Sequence, residues 1–223
     1  MTAGAATPVS APGRIPESVL PGGAEPDAVV IEVSVPRQEM LVFRDGQLIL
    51  RYKISTATAG VGARENSGRT PPGWHRVSEW IGGDAVPGQV FVSREPIAGS
   101  VLGKDKWRDD RAEDFVLTRV MWLDGMEPGV NRGRGIDSHD RFIYIHGTNQ
   151  EHLLGRPASH GCIHVQPRRD GAVLPHVRPP DVREHRGIGR GQTPAVQPMR
   201  RRNGNSGRPS PLRRMYGPSA NAL

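Results

Sequence analysis

Met40-Leu41-Val42-Phe43-Arg44-Asp45-Gly46-Gln47-Leu48-Ile49-Leu50-Arg51-Tyr52-Lys53-Ile54 decides the fold. Asp-Gly between two apolar runs signals a tight hairpin, because the favoured two-residue turn needs positive φ at both central positions. On its N-terminal side, Val29-Val30-Ile31-Glu32-Val33-Ser34-Val35 is β-branched and partly alternating. Downstream, His75-Arg76-Val77, Gln89-Val90-Phe91-Val92, Phe115 to Leu123 and Arg141-Phe142-Ile143-Tyr144-Ile145-His146 read as further short strands. β-Branched and aromatic residues fit the pleated, half-buried surface of a sheet. No long helical period occurs between residues 28 and 165, apart from a turn or two near Asn149–Leu154. Ser67 to Gly73 has the Pro and Gly of a fixed loop, and residues 98–114 read as a polar surface insertion. The fold class is mostly β, a sandwich or barrel of short strands with short helical turns.

Composition limits how much of the chain this fold uses. Gly (28) and Pro (21) are abundant and hydrophobic residues reach only 35%, which implies long irregular segments. Residues 1–27 are rich in Ala, Pro and Gly without periodicity and are expected to be a disordered leader. A catalytic-size domain is expected over 28–166, and residues 167–223 form an Arg/Pro/Gly tract expected to be disordered. From residue 164 onward the chain has twelve Arg, no Lys and three acids, whereas the rest has 18 bases and 20 acids. The net charge of +7 is thus a property of the tail and does not point to a nucleic-acid partner for the folded part. The tail itself lacks interleaved aromatics, and solvated disorder is favoured over polymer binding. Met1 to Asp27 have neither a basic n-region nor an apolar h-region, so no signal peptide is expected in this chain. No run is long and apolar enough for a transmembrane span.

Two segments carry chemistry. Ile143-Tyr144-Ile145-His146-Gly147-Thr148 delivers a histidine at the end of a β run. Ser159-His160-Gly161-Cys162-Ile163 places a glycine before the only cysteine, which excludes an intramolecular disulfide and flags a thiol. A cysteine nucleophile needs a base within hydrogen-bond reach and donors for the oxyanion. Gly161 permits a tight turn that aims amides near Cys162 at one carbonyl, and one loop can return Cys162 to His146. Taken alone, such a cysteine is more often a small buried hydrophobe than a nucleophile, and His146 also reads as a histidine at the edge of the core. His146, His152, His160, Cys162 and His164 also suggest zinc, but the turn expected at Gly161 removes His160, Cys162 and His164 from a common face.

The ordered pattern His-Gly-Thr, then Leu154-Gly155-Arg156-Pro157, then Ser-His-Gly-Cys-Ile resembles the L,D-transpeptidase (YkuD-type) family. Ile54-Ser55-Thr56, the Ser67–Gly73 loop, Leu117-Thr118-Arg119 with Trp122-Leu123, and Arg141 before Ile143-Tyr144-Ile145 extend the resemblance over residues 29–163. It implies a β-sandwich-like catalytic domain that forms peptidoglycan cross-links, with stem peptides as donor and acceptor. Cys162 then resembles the nucleophile, and His146 the base that makes the thiol reactive near neutral pH. The Gly147 carbonyl would orient His146, while His160 and Gly161 would support the motif and its oxyanion amides. Ser159, Arg141 and Thr148 are substrate-binding candidates. The resemblance implies no cofactor or metal, a monomer, and a place in the periplasm or cell envelope.

After Ile163 the sequence leaves the pattern. The family continues with Arg or Asn, a helix and a last strand, whereas this chain reads His164-Val165-Gln166-Pro167 and then the Arg-rich tract. Residues 164–174, back-translated and read one base out of frame, permit a sequence resembling the family's continuation, which suggests a frame slip. The alternative function is therefore a catalytically impaired wall-binding or anionic-polymer-binding protein on a truncated fold.

Overall fold

Asp45 and Gly46 both take positive φ (49° and 73°), and their turn folds β2 (Glu39–Arg44) against β3 (Gln47–Ser55) in antiparallel register. The computed structural model describes residues 28–107 and 113–167, all within the unit Met1–Pro180. The expected leader over 1–27, and the expected tail over 167–223 beyond Pro167, lie outside the described residues. The other strands are β1 (Val29–Ser34), β4 (His75–Ile81), β5 (Gln89–Val92), β6 (Glu95–Val101), β7 (Val116–Gly125), β8 (Tyr144–Gly147) and β9 (Ile163–Val165). They form one sheet in the order β1-β2-β3-β9-β8-β7-β5-β6, with β4 on β7 off that path. Short 3-10 turns at Lys104–Lys106 and Glu151–Leu153 complete the described elements. The mostly β class read from the sequence is the class observed.

Side chains alternate across a strand, so one sequence serves two faces. Met40 and Val42 on β2, Ile54 on β3, Met121 on β7, Ile145 on β8 and Ile163 on β9 meet in one buried cluster. A smaller cluster gathers Val90, Trp107 and Leu117. The residues between these core positions on β7, β8 and β9 face the other way. Burial of the first face therefore fixes what the second presents, since a slip of one residue would exchange them.

Two differences from the sequence reading have physical causes. Residues 95–101, partly assigned to a polar insertion, form β6, the terminal strand of the path. Its Pro96 and Gly99 are tolerated because an edge strand has one unpaired side. Arg141, Phe142 and Ile143 do not extend β8. Phe142 sits at φ 55° in a turn closed by its N–H to the His139 carbonyl, 3.0 Å away. The last strand runs past the motif, inside the domain expected over 28–166. His164 and Val165 complete β9, parallel to β8 and antiparallel to β3.

Candidate active site

The parallel pair β8–β9 has Ile145 opposite Ile163 and His146 opposite His164. With the two isoleucines in the core, Tyr144 and His146 share the opposite face with His164, and Cys162 enters β9 on that same side. Adjacent strands lie about 4.8 Å apart, so the two motifs, distant in sequence, meet through backbone pairing.

Cys162 is held by its loop. Gly161 takes φ +135°, a conformation that side chains disfavour. An added Cβ there would lie 3.2 Å from Ile143 Cδ1 and 3.5 Å from the Arg69 carbonyl oxygen. Buried Ser159 donates its hydroxyl to the Cys162 carbonyl at 2.6 Å and accepts the Gly161 N–H at 3.3 Å. Thr70 donates to the Gly161 carbonyl at 3.0 Å and accepts the Ala57 N–H at 3.0 Å. The Ser67–Gly73 loop is thus a brace for the cysteine turn. Arg141 ties the same loop, donating to the Arg69 carbonyl at 2.7 Å, and reaches the preceding segment at the Gly62 carbonyl, 3.4 Å away. His160 is exposed.

His146 is buried, with Nδ1 at 2.9 Å from the Gly147 carbonyl oxygen. A carbonyl only accepts, so Nδ1 carries the proton and Nε2 keeps its lone pair. Burial, helped by the charge of His164, lowers His146 to about 4, against the raising effects of Asp114 and the Gly147 bond. The imidazole is therefore neutral through the neutral pH range.

Cys162 is partly exposed, with Sγ 3.6 Å from the Phe142 carbonyl oxygen. Desolvation pushes its thiol up to about 12, with Asp114 adding to the rise; the Tyr144 backbone hydrogen bond and the Arg141 charge oppose it. Its open side keeps some hydration, so that value is an upper bound. Burial thus disfavours charge on both partners, which favours thiol and neutral imidazole over thiolate and imidazolium in the resting site.

A second pair, buried His164 and half-buried Asp114, stands behind His146. His164 Nε2 lies 3.2 Å from Asp114 Oδ2, and Thr148 donates to Asp114 Oδ1 at 3.2 Å. Burial alone would raise the Asp114 carboxyl. The hydrogen bond and charge of His164, the charge of His146 and the Thr148 bond more than offset this and hold it below the usual range. Asn149 fixes the segment by accepting the Phe115 N–H and donating to the Glu113 carbonyl, both at 2.8 Å. Sequence reasoning missed Asp114, which lies 48 residues before Cys162 in a polar stretch with no motif. It noted His164 only as a metal candidate. Among the described residues no group of three or more His, Cys, Asp or Glu could hold a metal ion.

A cavity of about 360 Å³ is lined by Phe91, Ser93, Arg94, Val116, Val120, Phe142 and Tyr144, and of these Phe142 also meets the cysteine, through its carbonyl 3.6 Å from Sγ. Val120 pairs with His146 and Trp122 with Tyr144, so the cavity lies over the face that carries Cys162.

Residues 28–179 match the family described as the L,D-transpeptidase catalytic domain, so the match runs past the point where the motif reading ends. No curated protein matches. Solved structures that match include the L,D-transpeptidase LdtMt1 in complex with imipenem, at 16% identity and TM-score 0.36, covering 66% of this chain and 52% of that one. L,D-transpeptidase 3 from Mycobacterium tuberculosis with a faropenem-derived adduct matches at 17% identity and TM-score 0.36, covering 65% and 53%. An L,D-transpeptidase from Mycobacterium smegmatis matches at 18% and 0.34, covering 65% and 51%. The chain spans about half the length of these proteins.

Proposed function

The chain belongs to the L,D-transpeptidase catalytic-domain family, and on that premise we propose that Cys162 and His146 transfer an acyl group between peptidoglycan stem peptides. The observation that carries this reading is the His146 tautomer. With Nδ1–H held by the Gly147 carbonyl, Nε2 is left as a base on the face that bears Cys162. Cys162 Sγ attacks the carbonyl between the third and fourth stem residues while its proton passes to His146 Nε2. Backbone N–H groups around His160 to Cys162 hold the oxyanion. On collapse the C–N bond breaks and His146 returns the proton to the departing D-Ala amine, leaving a thioester on Cys162. An amine of a neighbouring stem then attacks the thioester and gives up its proton through His146. The cross-link forms and the thiol is restored.

The neutral resting pair makes thiol ionisation part of the attack and not a step before it. Carbonyl binding supplies the missing stabilisation, because bond formation to carbon removes the cost of a free thiolate. The work of this reaction lies in the cell envelope. Among the described residues no helix is long and apolar enough to cross a membrane.

Burial that disfavours charge on both Cys162 and His146 also supports a second reading, a wall- or anionic-polymer-binding protein with impaired turnover. Incubation with a carbapenem decides between them. Acylation adds the mass of the drug to the protein, and Cys162→Ala abolishes the shift. No adduct on the folded wild-type protein rules out the transferase and leaves the binding role.

A further inference from the structure

Arg94 sits at the tip of the β5–β6 hairpin, in a two-residue turn closed by the Val92–Glu95 pair. Ser93 and Arg94 take φ 50° and 70°, a conformation for which such turns favour Asn and Gly. Neither is present, and the turn instead aims a long cation back over the sheet. The Arg94 guanidinium carbon lies 4.5 Å from the centroid of Trp122 and 5.2 Å from that of Phe142. One Nη lies 3.4 Å from the Tyr144 hydroxyl.

Among the described residues no carboxylate pairs with Arg94, although it is half-buried and lines the cavity beside Cys162. The aromatic rings hold the flat face of the cation and leave donors along its edge. Phe142 is 44% exposed. Its carbonyl is the group that the Cys162 thiol approaches, so the cavity and the nucleophile share a wall. A planar fork of N–H donors at an apolar rim suits a carboxylate bound edge-on.

We propose that Arg94 binds a carboxylate of the donor stem peptide in this cavity, and so sets which acyl donors reach Cys162. This rests on the reading of Cys162 as the residue acylated by a stem peptide. Two carboxylates of a stem offer the same chemistry, that of the C-terminal fourth residue and the free α-carboxylate of a D-glutamate earlier in the stem. Both are single, flexible and anionic, and amidation removes either one.

The test uses the full chain carrying Cys162→Ala, so that no turnover occurs. It is titrated with a synthetic stem tetrapeptide ending in D-Ala, with its C-terminal amide, and with the form amidated at D-glutamate, and binding is followed by NMR shifts. One amide is expected to bind at least tenfold more weakly than the free acid, which identifies the carboxylate held. Arg94→Gln in the same background should bring the free acid to the level of that amide and leave the amide within about twofold. Arg94→Lys, which keeps charge but not the fork, should retain part of the preference. Equal binding of all three peptides without an Arg94 change overturns the proposal, and so does an Arg94→Gln loss shared equally by all three. If Arg94→Gln does not fold, the acid-to-amide ratio and the Arg94→Lys variant decide. Carboxylate discrimination without carbapenem acylation of the wild type rejects the transferase reading alone. Acylation without discrimination rejects the Arg94 subsite alone.

Discussion

His146 and His164 occupy matched positions on the parallel strands β8 and β9, with ring centroids 4.7 Å apart. The two neighbours of the base act on it in opposite directions. The His164 charge lowers the proton affinity of His146 and Asp114 raises it. The acid limb of carbapenem acylation should therefore move to higher pH in His164→Asn and to lower pH in Asp114→Asn. Rates measured from pH 3.5 to 8 check this. A loss of packing would lower the whole profile, whereas the proposed coupling shifts its midpoint. Shifts of the same sign in both variants would defeat the electrostatic account.

The ligand-free thiol should behave as an unactivated one. With the Cys162 thiol pushed up to about 12, only thiolate reacts with iodoacetamide, and its fraction grows about tenfold per pH unit below that value. Alkylation is expected to climb in this way from pH 7 to 10 without a plateau, with no thiolate absorbance near neutrality. A plateau below pH 8 would show a preformed ion pair with His146 and would favour the neutral-pH reactivity that the motif alone suggests.

Stability should fall in mild acid. The unfolded chain protonates His146 near 6.5, but the fold holds it near 4. Between those values the unfolded state binds the extra proton, so stability decreases as pH falls through this window and is unaffected above it. The expected loss from pH 7 to 4 is on the order of 3 kcal/mol. Asp114, held below its ordinary value by His164, contributes stability above about pH 4 that is lost lower still. Urea unfolding across pH 3 to 8 measures both. His146→Gln should flatten the slope between 6.5 and 4, and an unchanged slope would assign the acid sensitivity elsewhere.

The strands were legible because apolar alternation and the Asp45-Gly46 turn act locally. Cys162 and His146 were legible as candidates because their neighbours form an ordered pattern. Asp114 and Arg94 were not, for a topological reason. Asp114 meets His164 only because β9 inserts between β3 and β8, and Arg94 meets Trp122 only because β5 pairs with β7. Sequence spacing carries neither fact. Arg141, a substrate-binding candidate in the sequence, donates to the backbone carbonyls of Arg69 and Gly62, contacts that its position before a strand does not announce.

The Ser67–Gly73 loop yields the last prediction. Thr70 is buried, and its hydroxyl links the Ala57 N–H to the Gly161 carbonyl, each at 3.0 Å. Thr70→Val keeps the shape and deletes the hydroxyl, leaving a buried donor and acceptor unpaired, which costs about 1–3 kcal/mol for each group left unsatisfied. The loss should not stop at stability. Gly161 stands at φ +135°, one of many conformations open to glycine, so the Thr70 bond to its carbonyl helps select the turn that sets the amides before Cys162. Thr70→Val should therefore lower the midpoint of urea unfolding and slow carbapenem acylation at least tenfold at a temperature where the variant is folded. Ser67→Ala, on the same loop, removes a hydroxyl bonded to the Arg64 carbonyl at an exposed site and should change neither by more than about 0.5 kcal/mol. Gly161→Ala gives the converse case. Its strain acts at the turn itself, so acylation should fall further than in Thr70→Val for the same loss of stability. If Thr70→Val melts early but acylates at the wild-type rate, the brace serves folding alone, and the turn at Gly161 holds its geometry without it.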